Sequence, residues 1–426
     1  MDPITVGLLA LVGLLGLIAL RVPIGVSLIF VSFLGICGIA GLRPAMSMLS
    51  NIPYTSSASW TLSSIPMFLL MGYIAYHSGL TKGLFEAARV WWSWLPGGLA
   101  IASLAGASGF AAVSGSSVAC SAAIGRIAIP EMKRNNYDLR VATGSVAAGG
   151  TIGALIPPSI ILILFGIQSN SSINALFMGG IFLGLASLLF YIMAVLFVWW
   201  RKPERLPMVE PYTMGDRWKK RLEIWPVLLL ICAVLGGLFG GIFTATEAGA
   251  FGAFMALALG LLRRSLSWAD FKESLVDTIL ASGALFIIAI GAGLFTRLVA
   301  MSGLSREVGM LVEAMGLGTT GLLLIIVLIY IALGMFLEPI GALLLTLPLF
   351  LPLTTAHGID TIWFGLLVAK LLEIGMITPP VGLNVFVIHS VARDYVKLEQ
   401  IFAGILPFLA ADIALVAAML LTRGLF

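Results

Sequence analysis

The hydrophobic and polar positions of this chain form long apolar runs separated by short polar segments. The runs that suit a membrane span, or half of one, lie roughly at residues 4–20, 23–42, 64–80, 98–114, 117–131, 141–168, 173–200, 224–242, 245–262, 275–301, 319–336, 340–353, 361–390 and 401–422. Several are too short to cross about 30 Å of hydrocarbon at about 1.5 Å per residue. The pattern therefore predicts complete spans together with segments that enter the membrane without crossing it.

Two neighbouring pairs of short runs predict re-entrant helical hairpins, at residues 98–131 and 319–353. The first tip is residues 114–117, Ser-Gly-Ser-Ser, and the second tip is residues 338–341, Glu-Pro-Ile-Gly. A tip inside the membrane exposes helix ends, whose N–H groups favour anions and whose carbonyl groups can hold a cation.

Two longer runs, at residues 141–168 and 361–390, are each interrupted by a proline pair. The first break is residues 149–159, Gly-Gly-Thr-Ile-Gly-Ala-Leu-Ile-Pro-Pro-Ser, and the second break is residues 373–384, Glu-Ile-Gly-Met-Ile-Thr-Pro-Pro-Val-Gly-Leu-Asn. Two prolines remove two backbone donors and the glycines loosen the chain, so we expect two helices broken near mid-membrane. Because irregular backbone at that depth must face protein, water or an ion, each break predicts a binding site.

Landmark residues of the two halves are related by one shift of 222 positions. The shift places Gly153 on Gly375, Pro157 on Pro379, Pro158 on Pro380, Ser116 on Glu338 and Pro130 on Pro352. Chance similarity between apolar segments would not keep prolines and glycines in step, so the pattern indicates an internal duplication.

Loop charge predicts how the two halves are oriented. Between Arg201 and Arg221 there are seven basic and three acidic residues, which predicts a cytoplasmic linker at residues 201–223. Counting spans from there, both chain ends are periplasmic, the first hairpin enters from the cytoplasm and the second enters from outside. We therefore predict an inverted-topology repeat, the architecture of secondary transporters, with residues 1–200 as the first copy and residues 224–426 as the second.

Composition agrees with an all-α polytopic membrane protein. Of 426 residues, 60% are hydrophobic and 10% are charged, with a mean hydropathy of +1.09. The net charge of +4 is explained by basic loops rather than by nucleic-acid binding. The amphipathic segments Leu80–Pro96 and Leu304–Leu317, one before each hairpin, are predicted to be interfacial arms.

Bringing one tip against one break in each half would make two oxygen-rich pockets for sodium with an anion site between them. The residues predicted to bind sodium are Gly115, Ser116, Gly150, Thr151, Gly153, Glu338, Gly375, Met376, Thr378 and Gly382, and those predicted to bind substrate are Ser114, Ser117, Pro157, Arg297 and Asn384. The alternative for Ser-Gly clusters is close helix packing, and the alternative for Arg297, which we favour, is snorkelling to the membrane surface.

Charged residues inside apolar runs are costly and usually functional or paired. Lys370 and Glu373 are three residues apart beside the second break, so they predict either a mutual ion pair or a gating role. Glu338 is a candidate for tuning an ion site, whereas Glu247 and Asp412 are expected to cap or brace helices.

An enzyme is not predicted, because the chain has no Gly-x-Ser-x-Gly elbow and no His-Glu-x-x-His motif, and no Gly-Lys dipeptide for a Walker A loop. Uphill transport would then need an ion gradient. Importing a monoanion against a thousandfold concentration gradient costs about 4 kcal/mol. An inside-negative membrane potential of about 100 mV adds about 2.3 kcal/mol. One sodium ion entering down a tenfold gradient and that potential returns about 3.7 kcal/mol, so at least two ions are needed.

These motifs resemble the large membrane subunit of tripartite ATP-independent periplasmic (TRAP) transporters. The resemblance rests on the segments Gly115–Ser117, Pro130–Met132, Gly153–Ser159, Ser172–Phe177, Thr246–Gly249, Gly334–Glu338, Leu372–Gly375 and Thr378–Asn384. The chain departs mildly from the family pattern, with Glu338 where aspartate is expected, Ala245 where proline is expected and Asn136 where glycine is common.

The resemblance implies sodium-coupled uptake of an organic acid, such as sialic acid or a C4-dicarboxylate, by an elevator movement in the bacterial inner membrane. It also implies two partners, a small four-helix membrane subunit on a separate chain and a soluble periplasmic substrate-binding protein. The alternatives are a stand-alone sodium and carboxylate elevator transporter or, from another class, a passive channel or membrane scaffold.

Overall fold

The computed structural model describes residues 2–208, 214–314, 316 and 318–423, and its regular secondary structure is helical throughout that part of the chain. The first half contains α1 (Pro3–Ala19), α2 (Ile24–Ala40), α3 (Leu42–Ser57), α4 (Ser64–His77), α5 (Lys82–Trp92), α6 (Gly98–Ser114), α7 (Ser117–Arg134), α8 (Leu139–Thr151), α9 (Ile160–Ser169) and α10 (Ile173–Arg201). The second half contains α11 (Met214–Phe239), α12 (Ala245–Leu262), α13 (Trp268–Ser302), α14 (Leu304–Ala314), α15 (Thr319–Phe336), α16 (Pro339–Ala356), α17 (Thr361–Gly375), α18 (Leu383–Ala392) and α19 (Leu398–Leu421).

The helix bounds of the two halves follow the shift seen in the sequence. Helices α5 and α14 begin and end 222 residues apart, and so do α7 and α16. The start of the broken helix is specified in the same way in both halves, because Asp138 accepts a hydrogen bond from the backbone of α8 and Asp360 accepts one from α17, at 2.9 and 2.7 Å. Equivalent local sequence therefore produces equivalent helices.

The two halves are interleaved rather than side by side. Helix α2 packs against α13, and α4 packs against α12. Since α12 is the equivalent of α2, and the C-terminal part of α13 is the equivalent of α4, these two contacts are the same contact made twice. Each half thus completes its packing with a helix of the other half.

The repeat is broken at α3, which the apolar runs did not reveal. This helix carries Arg43, Ser47 and Asn51 and contains Pro53, so it lacks a continuous apolar run. Helix α3 and the helical segment Thr61–His77 form a pair bent by 57°, whereas the second half has the single 35-residue helix α13 at this place. The serine-rich residues 56–59 at the bend explain the difference, since serine side chains compete with helical backbone hydrogen bonds.

Helix length and composition agree with a multi-pass membrane protein, as predicted. Among the described residues, six helices are long and apolar enough to cross a membrane, or up to seven if the bent pair is one span. The six are α10, α12, α13, α15, α16 and α19. Shorter apolar helices of 10–17 residues include α6, α9 and α18, which belong to the predicted hairpin and breaks.

The predicted linker and arms both contain helix. The predicted linker at residues 201–223 includes the start of α11, which begins at Met214, and residues 209–213 lie outside the described part. The predicted arms are shorter helices, α5 and α14, and residues 315 and 317 of the second arm also lie outside the described part.

Candidate functional site

The first tip packs directly against the first break. Helix α6 ends at Ser114, and the next residue, Gly115, is in the left-handed conformation with φ of 62°. The Ser116 side chain then caps α7. A Cβ atom added to Gly115 would overlap the carbonyl oxygen of Pro158, and one added to Gly153 would lie 3.0 Å from the carbonyl oxygen of Ser116. A side chain would not fit at Gly115 and would be tightly crowded at Gly153. Because both residues are glycine, backbone oxygens of the tip and of the break can lie close together.

The second tip also packs against the second break, but through different neighbours. Gly375 of the second break packs on Gly334 at the end of α15, where an added Cβ on Gly334 would lie 3.0 Å from the Cα of Gly375. The backbone N–H of Gly382 donates to the carbonyl of Met335 at 3.3 Å. Glu338 caps α16, as Ser116 caps α7, so the two residues that the shift superposes perform the same structural role.

Several hydroxyl groups at these contacts keep free acceptor capacity. Thr378 donates to the carbonyl of Ile374 at 2.6 Å, which leaves its lone pairs unused. The buried Ser114 hydroxyl has no hydrogen-bond partner among the described residues. Thr151 differs, because its hydroxyl lies 2.8 Å from the Tyr191 hydroxyl of α10.

The two tips share one cavity of about 510 Å³ with the packed helices α4 and α13. Its lining includes Ser114 and Ser116 from the first tip, Glu338 and Ile340 from the second, Tyr73 and Tyr76 from α4, and Ala281, Ala284, Leu285 and Ile288 from α13. The cavity is mainly apolar, with hydroxyl groups and one carboxylate at the tips, which is the usual composition of a small-molecule site. Tyr73 and Tyr76 were not predicted as site residues, although hydroxyl-bearing aromatic residues in an apolar run were an available signal.

Of the residues predicted to bind substrate, Ser114 alone lines this cavity. Pro157 is buried in the first break, and Arg297 is exposed at another place on α13. Ser117 and Asn384 are buried and do not line this cavity.

A buried ion pair lies behind the second break. Lys370 Nζ is 2.6 Å from Asp412 Oδ1, and the two side chains are 0% and 1% exposed. Lys370 also donates to Ser187 at 3.1 Å, and the Tyr191 hydroxyl donates to Asp412 at 2.9 Å. With Thr151 bound to Tyr191, this network connects α8, α10, α17 and α19.

The Lys370 ammonium therefore pairs with Asp412, and the predicted mutual ion pair of Lys370 and Glu373 is wrong. Residues three apart on a helix are neighbours, but here α19 offers Lys370 a carboxylate from another direction. Glu373 instead accepts a hydrogen bond from Ser117 at 3.2 Å, across from α17 to the start of α7. Glu247 caps its own helix through Thr244, in agreement with the expectation for it.

Comparison with solved structures defines the class of fold. The chain is similar to the Alcanivorax borkumensis YdaH transporter, with a TM-score of 0.64, 13% sequence identity and coverage of 90% of this chain and 89% of that one. It is also similar to Neisseria gonorrhoeae MtrF, named as an antimetabolite efflux pump, with a TM-score of 0.59, 16% identity and coverage of 91% and 85%. The fold is that of a multi-pass membrane transporter.

The sequence comparisons then give the family. Residues 11–425 match the tripartite ATP-independent periplasmic transporter, DctM component, and the chain belongs to this family of inner-membrane permeases, as the resemblance predicted.

Named relatives carry different acids. The Vibrio cholerae C4-dicarboxylate TRAP transporter large permease protein DctM is 33% identical over 407 residues, covering 89% of this chain and 88% of that protein. The Vibrio cholerae sialic acid TRAP transporter large permease protein SiaM is 31% identical over 401 residues, covering 93% and 92%. The Oleidesulfovibrio alaskensis isethionate TRAP transporter permease protein DctMQ is 33% identical over 411 residues, covering 94% of this chain and 63% of that protein.

Proposed function

We propose that this chain imports an organic acid by sodium coupling. The observation that carries the proposal is the repeated contact between a tip and a break, with both tips facing one cavity. Hard cations take oxygen ligands, and each contact places backbone carbonyls near a hydroxyl or a carboxylate. Two such contacts match the energetic requirement for at least two sodium ions per monoanion.

The acid would bind in the shared cavity. Helix α7 begins at Ser117 and α16 begins at Pro339, so the positive ends of two helix dipoles approach the cavity from opposite halves. An anionic carboxylate or sulfonate is favoured at such helix starts. Relatives named for C4-dicarboxylates, sialic acid and isethionate support an organic acid as the cargo.

The partners follow from membership of a tripartite family. We propose a small membrane subunit that packs against this chain and a periplasmic binding protein that delivers the acid. Such a protein would account for much of the substrate selection, since the cavity itself is mostly apolar and offers few polar groups.

The transport step is proposed to be an elevator movement. The moving unit would consist of the two hairpins and the two broken helices, α6–α9 and α15–α18. It would move as one body against a scaffold that includes α2, α4, α12 and α13. Arg89 of the arm α5 pairs with Glu131 of α7, which ties the arm to the moving hairpin. The cavity lies near the end of α4 that leads into this arm, so the orientation predicted from loop charge gives it a cytoplasmic opening.

Uptake into proteoliposomes tests the proposal. The chain, reconstituted with its small subunit and given the binding protein loaded with a radiolabelled acid, should accumulate that acid only when external sodium exceeds internal sodium. Uptake at full rate without a sodium gradient would contradict the coupling. Full uptake without the binding protein would instead favour a stand-alone transporter.

We predict that Ser116→Ala and Thr378→Ala weaken the sodium dependence of uptake. Each removes one oxygen ligand at a tip and break contact, which costs about 1–1.5 kcal/mol, or about a tenfold loss of apparent sodium affinity. The matched control is Ser103→Ala, because the Ser103 hydroxyl donates to the carbonyl of Ala100 at 2.7 Å inside the α6 core. Equal sodium affinity in all three variants would remove these two hydroxyls from the sodium sites.

A further inference from the structure

The buried interior around α17 and α19 contains more negative than positive charge among the described residues. Glu373 is 0% exposed and Asp412 is 1% exposed, yet the one ammonium among the buried charged side chains of the described residues is that of Lys370. That ammonium is 2.6 Å from Asp412. The carboxylate of Glu373 therefore has no cation of its own, and an uncompensated buried charge is very unfavourable.

The Glu373 carboxylate and two other buried side chains have polar atoms without hydrogen-bond partners. Glu373 Oε1 accepts from Ser117 at 3.2 Å, while Oε2 has no hydrogen-bond partner among the described residues. Asn384 is 0% exposed and neither its side-chain oxygen nor its nitrogen has a partner, and the buried Ser121 hydroxyl is also unpartnered. Buried polar atoms in native proteins are nearly always bonded, so several orphans in one region indicate a missing ligand.

Helix packing brings these side chains to one place. Helices α7 and α18 run parallel, since Gly125 faces Ile388 and, further along, the Lys133 ammonium lies 3.7 Å from the centre of the Tyr395 ring. One helical turn earlier, that register places Ser121 beside Asn384. A further turn earlier on α7 is Ser117, which contacts Glu373. The backbone N–H of Asn384 donates to the carbonyl of Met376, three residues after Glu373.

The fold itself does not demand polar residues at these positions. The shift of 222 residues relates Ser121 to Leu343 and Asn384 to Leu162, and both leucines are 0% exposed. Glu373 is equivalent to Thr151, whose buried hydroxyl is already bonded to Tyr191. Among the described residues at these equivalent positions, unpartnered polar groups are therefore confined to one copy, which points to a ligand that binds in that copy alone.

We propose that Glu373, Asn384 and Ser121 form an additional sodium site, separate from the two contacts between tip and break. A desolvated sodium ion would neutralise Glu373 and use the oxygens of Asn384 and Ser121 as neutral ligands. The site rests on the proposed sodium coupling. It joins the first hairpin to the second break, so occupancy would hold the two halves of the moving unit together.

Equilibrium binding of radioactive sodium to the purified chain, counted as ions per chain, tests this site. The wild type should bind one ion more than Glu373→Gln. Asn384→Ala and Ser121→Ala should lower the affinity for one of the bound ions by at least about tenfold. The matched controls are Glu131→Gln, whose carboxylate pairs with Arg89 at the other end of α7, and Ser108→Ala, whose hydroxyl donates to the carbonyl of Leu104. Both controls should keep the full count.

The possible failures are distinct. A wild type that binds no sodium would contradict the proposed coupling as a whole. The wild type and Glu373→Gln could instead bind the same number of sodium ions, with Glu373 of the wild type releasing a proton as the pH is raised. That result would overturn the additional site and leave the two proposed sites between tip and break intact. If Glu373→Gln does not fold, unchanged sodium affinities in Asn384→Ala and Ser121→Ala would overturn it in the same way.

Discussion

Asp412→Asn should destabilise the folded chain by about 3–5 kcal/mol, because it leaves the Lys370 ammonium buried without its counter-charge. Lys370 is 0% exposed and its nearest acidic group is 2.6 Å away. The variant also weakens the bond from Tyr191, so α10, α17 and α19 lose a common anchor. The measurement is the unfolding midpoint in detergent, followed through the loss of helical signal.

Two comparisons make this prediction specific. Lys370→Met combined with Asp412→Leu should recover most of the stability, since well-packed apolar groups often replace a buried ion pair without loss. Asp394→Asn should change stability by less than about 1 kcal/mol, because Asp394 and its partner Arg393 are both exposed. An Asp412→Asn midpoint equal to the wild type would show that the ion pair does not support the fold.

Gly375→Ala should separate the second tip from the second break and reduce apparent sodium affinity. A Cβ atom at this position would overlap the Cα of Gly334, and neither backbone can move without moving its helix. Overpacking of this kind costs about 1–3 kcal/mol, which corresponds to roughly a 5- to 150-fold loss of affinity. The apparent sodium affinity is measured from uptake into proteoliposomes over a range of sodium concentrations.

The first half offers the equivalent change and α13 offers the control. Gly115→Ala places a Cβ against Pro158 and adds the strain of a left-handed backbone, so it should act at least as strongly. Gly283→Ala should have no effect on sodium affinity, because nothing lies within 4 Å of its added Cβ. Wild-type sodium affinity in both Gly375→Ala and Gly115→Ala would show that the two contacts are not sodium sites.

Local sequence was sufficient to predict most of the helical plan. The proline pairs, the glycines before them and the shift of 222 residues located both breaks and both tips, because these residues act on the backbone at their own position. The same landmarks supported the family resemblance, which the comparisons confirmed. Helix α3 was missed because a helix with Arg43 and Asn51 has no apolar run of its own.

The charged interior could not be predicted in the same way. Lys370 and Glu373 are neighbours along α17, and nothing in that helix reveals that Asp412 approaches Lys370 from α19. Two residues in otherwise apolar runs, Asp412 and Tyr191, were signals of buried polar contacts. That these two side chains bond to each other follows only from the way four helices pack. The placement of Asn384 beside α7 likewise depends on the register between α7 and α18.

The most direct measurement is a pair of cryo-electron microscopy maps of the chain, one in sodium chloride and one in choline chloride. The central claim is that each tip and its break hold a cation between them. The sodium map should then contain an ion between Gly115 and Gly153 and another between Glu338 and Gly375, and both should be absent in choline. Identical maps in the two salts, with the tips in contact with the breaks and no ion at either place, would contradict the claim.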